Sequence, residues 1–449
     1  MRFDRNHHLL LDHGRFHGGS SQAQLDALLD NYFSTPPTTP LVVHFHGGLV
    51  NEDGGFDVAD KMLPVYQEAG AYPLFFVWRA GLFDVLQNNL PSIWEEPVFQ
   101  RLLTHVLRFA RAKVTQEVDA GARGDQLDLP SEMQVRAEIE AADQRVPMDD
   151  VDPAALDALQ LPPDDQSLHP AERDQLYEEL QQDSILVPQV QALVAPGAQG
   201  DRGPAAAGAP VPTLMEPELL AEMRADMDPE LGARGFVLPP AFLARVARVL
   251  AKVLWRFVRQ RDHGLYATVV EEILRGVYLS AAAQRVWGEM KGDVANAFEE
   301  GPDRGGTAFV QGLAARWKPE EGRRVVLVGH STGAVYINHL LARADALLPP
   351  GLKFEVIFLA GACGFDAFAE TVHAHGDRIA HFRSFGMSDE LERADYLLPD
   401  SIFQKLPALR VLKKIYPHSL LYFVSGVCED EVDKPLVGMH RYHTGRQYA

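Results

Sequence analysis

Short apolar runs alternate along the chain with longer stretches whose apolar positions recur every three or four residues. The runs occupy 41–45, 73–78, 324–328, 354–359, 379–385 and 420–424. They are rich in β-branched and aromatic side chains and mostly bounded by Gly, Pro or charged residues, which predicts strands. Helical spacing intervenes at 56–69, 334–348 and 365–375. Nearly continuous apolar strands separated by helices are the pattern of a parallel sheet buried on both faces. The expected fold class is α/β, a mostly parallel central sheet flanked by helices. A long acidic and helical insertion splits this sheet in sequence, before the strand at 324–328.

That insertion differs from the rest in charge and composition. Between Glu117 and Ala233 there are 26 acidic residues, six arginines and no lysine, an excess equal to the net charge of −20 of the whole chain. The same stretch holds 13 of the 30 prolines. Proline at short intervals interrupts helices, and Ala, Gly and Asp offer little to bury, so partial order at best is expected. Two pieces, 170–183 and 216–226, still have the opening of a helix. An acidic excess disfavours a nucleic-acid partner. Immediately afterwards, 241–261 spaces Arg245, Arg248, Lys252, Arg256 and Arg259 opposite Phe242, Val246, Val249, Leu250, Val253 and Phe257. This is a helix with one basic and one apolar face. It suits a lid packed on the core with its bases toward the acidic insertion, or a peripheral contact with an anionic membrane surface. The helical stretch 267–300 carries Trp287, Met290 and Phe298 at core spacing.

The expected organisation is four segments: 1–112, the N-terminal part of the core; 113–235, the acidic Pro/Ala-rich insertion, partly disordered; 236–320, a helical cap or lid; and 321–449, the C-terminal part of the core. Two cysteines, Cys363 and Cys428, cannot build a disulfide scaffold or a four-cysteine zinc site. The opening MRFDRNHHLLLDHGRF holds an apolar run too short for a signal peptide, and no stretch has the length of a membrane span. A cytoplasmic location is the expectation.

Candidate chemistry begins at the third run. It reads VVLVGHSTGA and leads into a helix. Strand, G-x-S-x-G, helix is the context of a nucleophile elbow, in which Ser331 stands on a strained turn and Gly329 and Gly333 lack the Cβ that would collide. The first run ends HFHGGL. A His-Gly-Gly turn after an early strand can aim an N–H at a developing oxyanion. Thr332 supplies one such amide, and Gly48 or Leu49 the other, with Gly47 giving the loop room. His46 is expected to hold the loop by a hydrogen bond. The spacing His44-x-His46 also allows a metal on one strand face, but no downstream cluster completes that site, and no metal is expected. A serine nucleophile needs an imidazole and a carboxylate. Asp389, just past the strand at 379–385, is the expected acid, with Asp366 as competitor. The base is His443 or His440 near the C-terminus.

In this order, HGG, GHSTG, a post-strand Asp and a late His resemble the α/β-hydrolase superfamily, and FHGGLV and FFVWRAG resemble bacterial lipase- and esterase-type members. The resemblance covers about 1–90 and 320–449. It implies an α/β-hydrolase fold, no cofactor, and cleavage of small-molecule or lipid esters through an acyl-serine. Two alternatives stand beside this expectation: a membrane-acting phospholipase-like effector hydrolase, and a non-catalytic binding or scaffold protein on the same fold.

Overall fold

The computed structural model describes residues 4–48, 52–78, 82–116, 127–141, 168–195, 213–227, 236–278, 280–301 and 303–444. The described chain divides into two compact units. One comprises 1–85, 285–391 and 434–449; the other comprises 86–284 and 392–433.

The first unit is built on a seven-stranded sheet in the order β2-β1-β4-β3-β5-β6-β7. Its strands are β1 (His8–Asp12), β2 (Arg15–Phe16), β3 (Leu41–Phe45), β4 (Tyr72–Trp78), β5 (Val325–His330), β6 (Phe354–Leu359) and β7 (Ile379–Phe385). Only the β1–β2 pair is antiparallel. The α/β class with a mostly parallel, helix-flanked sheet is therefore observed. Each of the five residues of β3 is buried, as a central parallel strand requires.

Two local expectations need correction. The strand β1 was not expected, because three leucines between histidine and aspartate carry little β preference. It forms because it pairs in register with β4, from His8 opposite Phe75 to Leu11 opposite Trp78. Conversely, the run at 420–424 is not a strand. Ser419 caps a helical turn, Leu420–Phe423, by accepting from the Tyr422 amide, and a π-turn, Val424–Cys428, follows. A short run buried all round has no periodicity to separate the two states.

The second unit is helical in its described residues. Helices Pro170–Gln182 and Pro217–Ala225 form near the expected positions, and Glu132–Glu140 and Leu186–Val194 are added. The acidic side chains of this region meet the helix Pro97–Gln116. Arg108 pairs with Glu179, Arg111 with Glu138 and Lys113 with Glu172, each near 2.8–2.9 Å. The helix Pro240–Val258 contributes a looser contact, Arg245 to Glu222 at 3.5 Å. Arg256, expected on that helix's basic face, is instead wholly buried. Among the described residues, no helix is long and apolar enough to cross a membrane.

Candidate functional site

The sheet order creates a crevice. After β3 the chain passes through the helix Glu52–Glu68 to β4 on one side; after β5 it passes through the helix Gly333–Leu347 to β6 on the other. Adjacent strands whose connections leave in opposite directions open a gap at their carboxyl ends, where ligands of open α/β sheets bind. Phe45 lies opposite Gly329 across β3 and β5, so the segments 46–48 and 330–333 meet at that gap.

Ser331 occupies the tip of the turn between β5 and its helix, with φ of +52°, a left-handed conformation that serine rarely adopts. Three backbone hydrogen bonds hold it there. Its N–H donates to the Leu359 carbonyl at 2.9 Å, and its carbonyl accepts from Ala362 at 2.9 Å and Ala334 at 3.1 Å. The flanking glycines are required by space: a Cβ on Gly329 would lie 2.7 Å from the Gly333 backbone, and one on Gly333 would lie 2.3 Å from the Phe45 carbonyl oxygen.

The loop from β3 closes against this turn. The Gly48 N–H donates to the buried Thr332 hydroxyl at 3.0 Å. A Cβ on Gly48 would come within 2.5 Å of both Thr332 Oγ1 and Met290 Sδ, and one on Gly47 would approach His330 and Ser331 at 3.2 Å. Beneath it, the Trp78 N–H donates to His46 Nε2 at 3.1 Å, so the ring proton sits on Nδ1 and is donated to the Gly47 carbonyl at 2.7 Å. The imidazole stacks on the Trp78 indole at 3.8 Å. Burial pushes its pKa down to about 4, keeping it neutral. His44 is likewise pushed down to about 3 by burial, with Nδ1 2.8 Å from the Tyr66 hydroxyl.

The structure thus brings together His46, Gly47, Gly48, Gly329, Ser331, Thr332 and Gly333. Leu49 lies outside the described residues. Of the other expected residues, Asp389 opens the short helix Asp389–Ala394 after β7, and His440 and His443 belong to a C-terminal segment laid against the end of β6. Val437 and Gly438 donate to the Cys363 and Gly361 carbonyls at 2.9 and 2.8 Å. His443 Nε2 bonds the Val437 carbonyl at 2.7 Å, and its ring lies 6.1 Å from that of His440. Asp389 lies 3.5 Å from Arg441, and the competitor Asp366 pairs with Lys434 at 2.9 Å. Among the described residues, no hydrogen bond joins the Ser331 hydroxyl to either imidazole. Trp78, Met290 and His330 were missed as site neighbours. His330 stands inside the motif and could have been found there; the other two are brought in by tertiary packing.

No family model and no solved structure matches the chain. The chain is similar over 160 residues to UDP-N-acetylglucosamine--N-acetylmuramyl-(pentapeptide) pyrophosphoryl-undecaprenol N-acetylglucosamine transferases. Identity is 31% to those of Burkholderia mallei (strain SAVP1) and Burkholderia pseudomallei (strain K96243), and 30% to that of Burkholderia thailandensis. The similarity covers 35% of this chain, and the chain spans only 41% of the length of these relatives. They are named as transferases of a sugar. This finding corrects the expected membership of the α/β-hydrolase superfamily and the acyl-serine ester hydrolase, lipase and phospholipase readings that came with it. The scaffold alternative and the ester substrates are corrected with them.

Proposed function

We propose that this chain binds a nucleotide-linked sugar at the carboxyl ends of β3 and β5 and transfers the sugar to an acceptor hydroxyl. The observation that carries the proposal is the meeting, at the switch point of the sheet, of a glycine loop and the N-terminus of a 15-residue helix. Partial positive charge at a helix N-terminus favours phosphate, and glycines let a backbone approach a diphosphate closely. UDP-N-acetylglucosamine, named in the relatives' activity, is the donor proposed.

The chemistry then follows from the positions. The acceptor oxygen bonds to the anomeric carbon while the bond from that carbon to the diphosphate breaks, and the electron pair leaves on the diphosphate. Its growing negative charge is stabilised by the first helical turn after Ser331, electrostatic stabilisation of a kind worth about 3–4 kcal/mol per well-placed donor, while the loop at Gly47 and Gly48 gives the diphosphate room to approach. The acceptor's proton passes to a base, for which His440 is proposed, since the Nε2 of His443 is held by a carbonyl. Thr332 acts on the loop by fixing Gly48.

The test is release of UDP from UDP-N-acetylglucosamine in the presence of candidate acceptors, in the wild type and in Gly48→Val. Turnover that is lost in a folded Gly48→Val chain is expected. Turnover unaffected by the substitution would place the chemistry elsewhere.

A further inference from the structure

The helical unit contains a second concentration of ionisable groups, none of it used above and all of it closed to solvent. Arg256 (helix Pro240–Val258), His263, Glu271 and Glu272 (helix Leu265–Ile273) and Asp433 are each no more than 1% exposed. The His263 ring is held at both nitrogens by carboxylates. Nδ1 is hydrogen-bonded to Glu271 Oε1 at 2.8 Å, and Nε2 lies 2.9 Å from Asp433 Oδ1 in an ion-pair contact outside hydrogen-bond geometry. A neutral imidazole has one nitrogen bearing a lone pair, which would then face an anion; a ring protonated at both nitrogens makes both contacts attractive. The ring also stacks on Tyr422 at 4.2 Å, which covers a face and leaves the two ring nitrogens turned to the carboxylates.

Other groups around the ring set the balance. Arg256 forms ion pairs with Glu271 at 2.6 Å and Glu272 at 3.2 Å, and its Nη2 stands 3.5 Å from His263 Nδ1, a cation opposing protonation of the ring. Arg261 holds the Asp433 carbonyl at 2.8 Å and its carboxylate at 3.3 Å. Tyr416 donates to Glu271, Ser425 lies 3.5 Å from Asp433, and Gly426 packs directly on the Glu271 carboxylate. Further out, His418 faces His263, Glu271 and Arg393, and Arg275 faces Arg256, Glu271, Glu272 and Cys428; Asp262 precedes His263 in the chain and accepts from the Gly264 amide. Asp433 is held in the left-handed region at φ +52°. Two π-turns, Leu274–Tyr278 and Val424–Cys428, adjoin the cluster; such turns are rare and frequent at functional sites.

We infer that His263 is a buried imidazolium clamp that fastens the segment 392–433 to the helices of 240–273 while it is protonated, and releases it when the proton is lost. The clamp joins parts of the chain far apart in sequence. Glu271 is eight residues from His263, whereas Asp433 is 170 residues away. Removing the proton leaves two buried carboxylates facing one N–H, so the contact to Asp433 or Glu271 becomes repulsive. Burial opposes the charged ring, but Glu271 and Asp433 outweigh it and raise the pKa. The stabilisation is therefore complete below the unfolded value of about 6.5 and is lost as pH rises through the folded value. This device is independent of the chemistry at the sheet.

Nitrogen-15 NMR of the histidine-labelled chain reads the clamp directly. Expected is one imidazole with both nitrogens in the protonated range above pH 7, assigned by its disappearance in His263→Gln or, should that variant not fold, by its proximity to the Tyr422 ring. Limited proteolysis supplies the second measurement. Cleavage within 392–433 is expected to accelerate at least tenfold as pH rises through the transition of that resonance. A His263 ring with one unprotonated nitrogen at pH 7 overturns the proposal, as does proteolysis indifferent to the titration.

Discussion

The sheet unit and the helical unit both bury histidines, and His263 of the helical unit is held in the opposite state to His44 and His46 of the sheet unit. His44 and His46 lie under the β3 loop with neutral partners, a tyrosine hydroxyl, an amide and a carbonyl, and burial drives both pKa values down. His263 lies among carboxylates, which outweigh its burial. The difference is one of partners rather than depth: an imidazole given dipoles sheds its proton, and one given two anions keeps it. Above neutrality these histidines should therefore leave the sheet unit indifferent to pH, while the helical unit loses the stabilisation from His263 as its proton is lost. Below neutrality both lose stability, because His418 of the helical unit is also pushed down to about 4 by burial.

Several substitutions would break or sharpen this contrast. The largest effect is expected from Arg256→Met, which removes the cation paired with Glu272 and leaves Glu271 with only His263 as a paired cation. Breaking a buried pair on one side costs about 3–5 kcal/mol, and a urea titration should show it as a lower midpoint of the helical unit. Next is acidification. A folded pKa near 4 for His46 means that stability is intact above about pH 6.5 and falls as pH drops toward 4, by about 3 kcal/mol once the ring is charged. His46→Phe should flatten that acid limb in thermal melts while losing the amide and carbonyl contacts. Gly333→Ala places a Cβ 2.3 Å from the Phe45 carbonyl, and the overpacking should cost about 1–3 kcal/mol in the sheet unit alone. The smallest effect on stability is expected for Gly48→Ala, since the side-chain ends of Met290 and Thr332 can yield; binding at the crevice, not melting, should report it.

The same two regions show what a sequence reveals. The turn at Ser331 was legible because its determinants are contiguous: four apolar residues, two glycines and a helix start within about a dozen positions. The parallel sheet was legible for a similar reason, through runs whose burial on both faces removes alternation. The strand β1 was hidden because its β character comes from pairing with β4 rather than from its own leucines. The buried ion cluster was hidden because Arg256 has the spacing of an exposed basic face, and its partners include Asp433, far along the chain. Function was the least legible. Strand, glycine turn and helix describe a place where a ligand's negative charge can rest, and several chemistries use such a place. The hydrolase reading took the geometry for the reaction, and the sugar-transferring relatives correct it.

The proposal that the β3–β5 crevice holds a nucleotide diphosphate is tested most directly by calorimetric titration of the wild-type chain and Gly48→Val with UDP and with inorganic sulfate. The account predicts saturable binding of UDP at one site per chain, at least tenfold weaker, or about 1.4 kcal/mol, in a folded Gly48→Val variant, with sulfate competing weakly. Absence of UDP binding by the folded wild-type chain, or equal affinity in the variant, would contradict it.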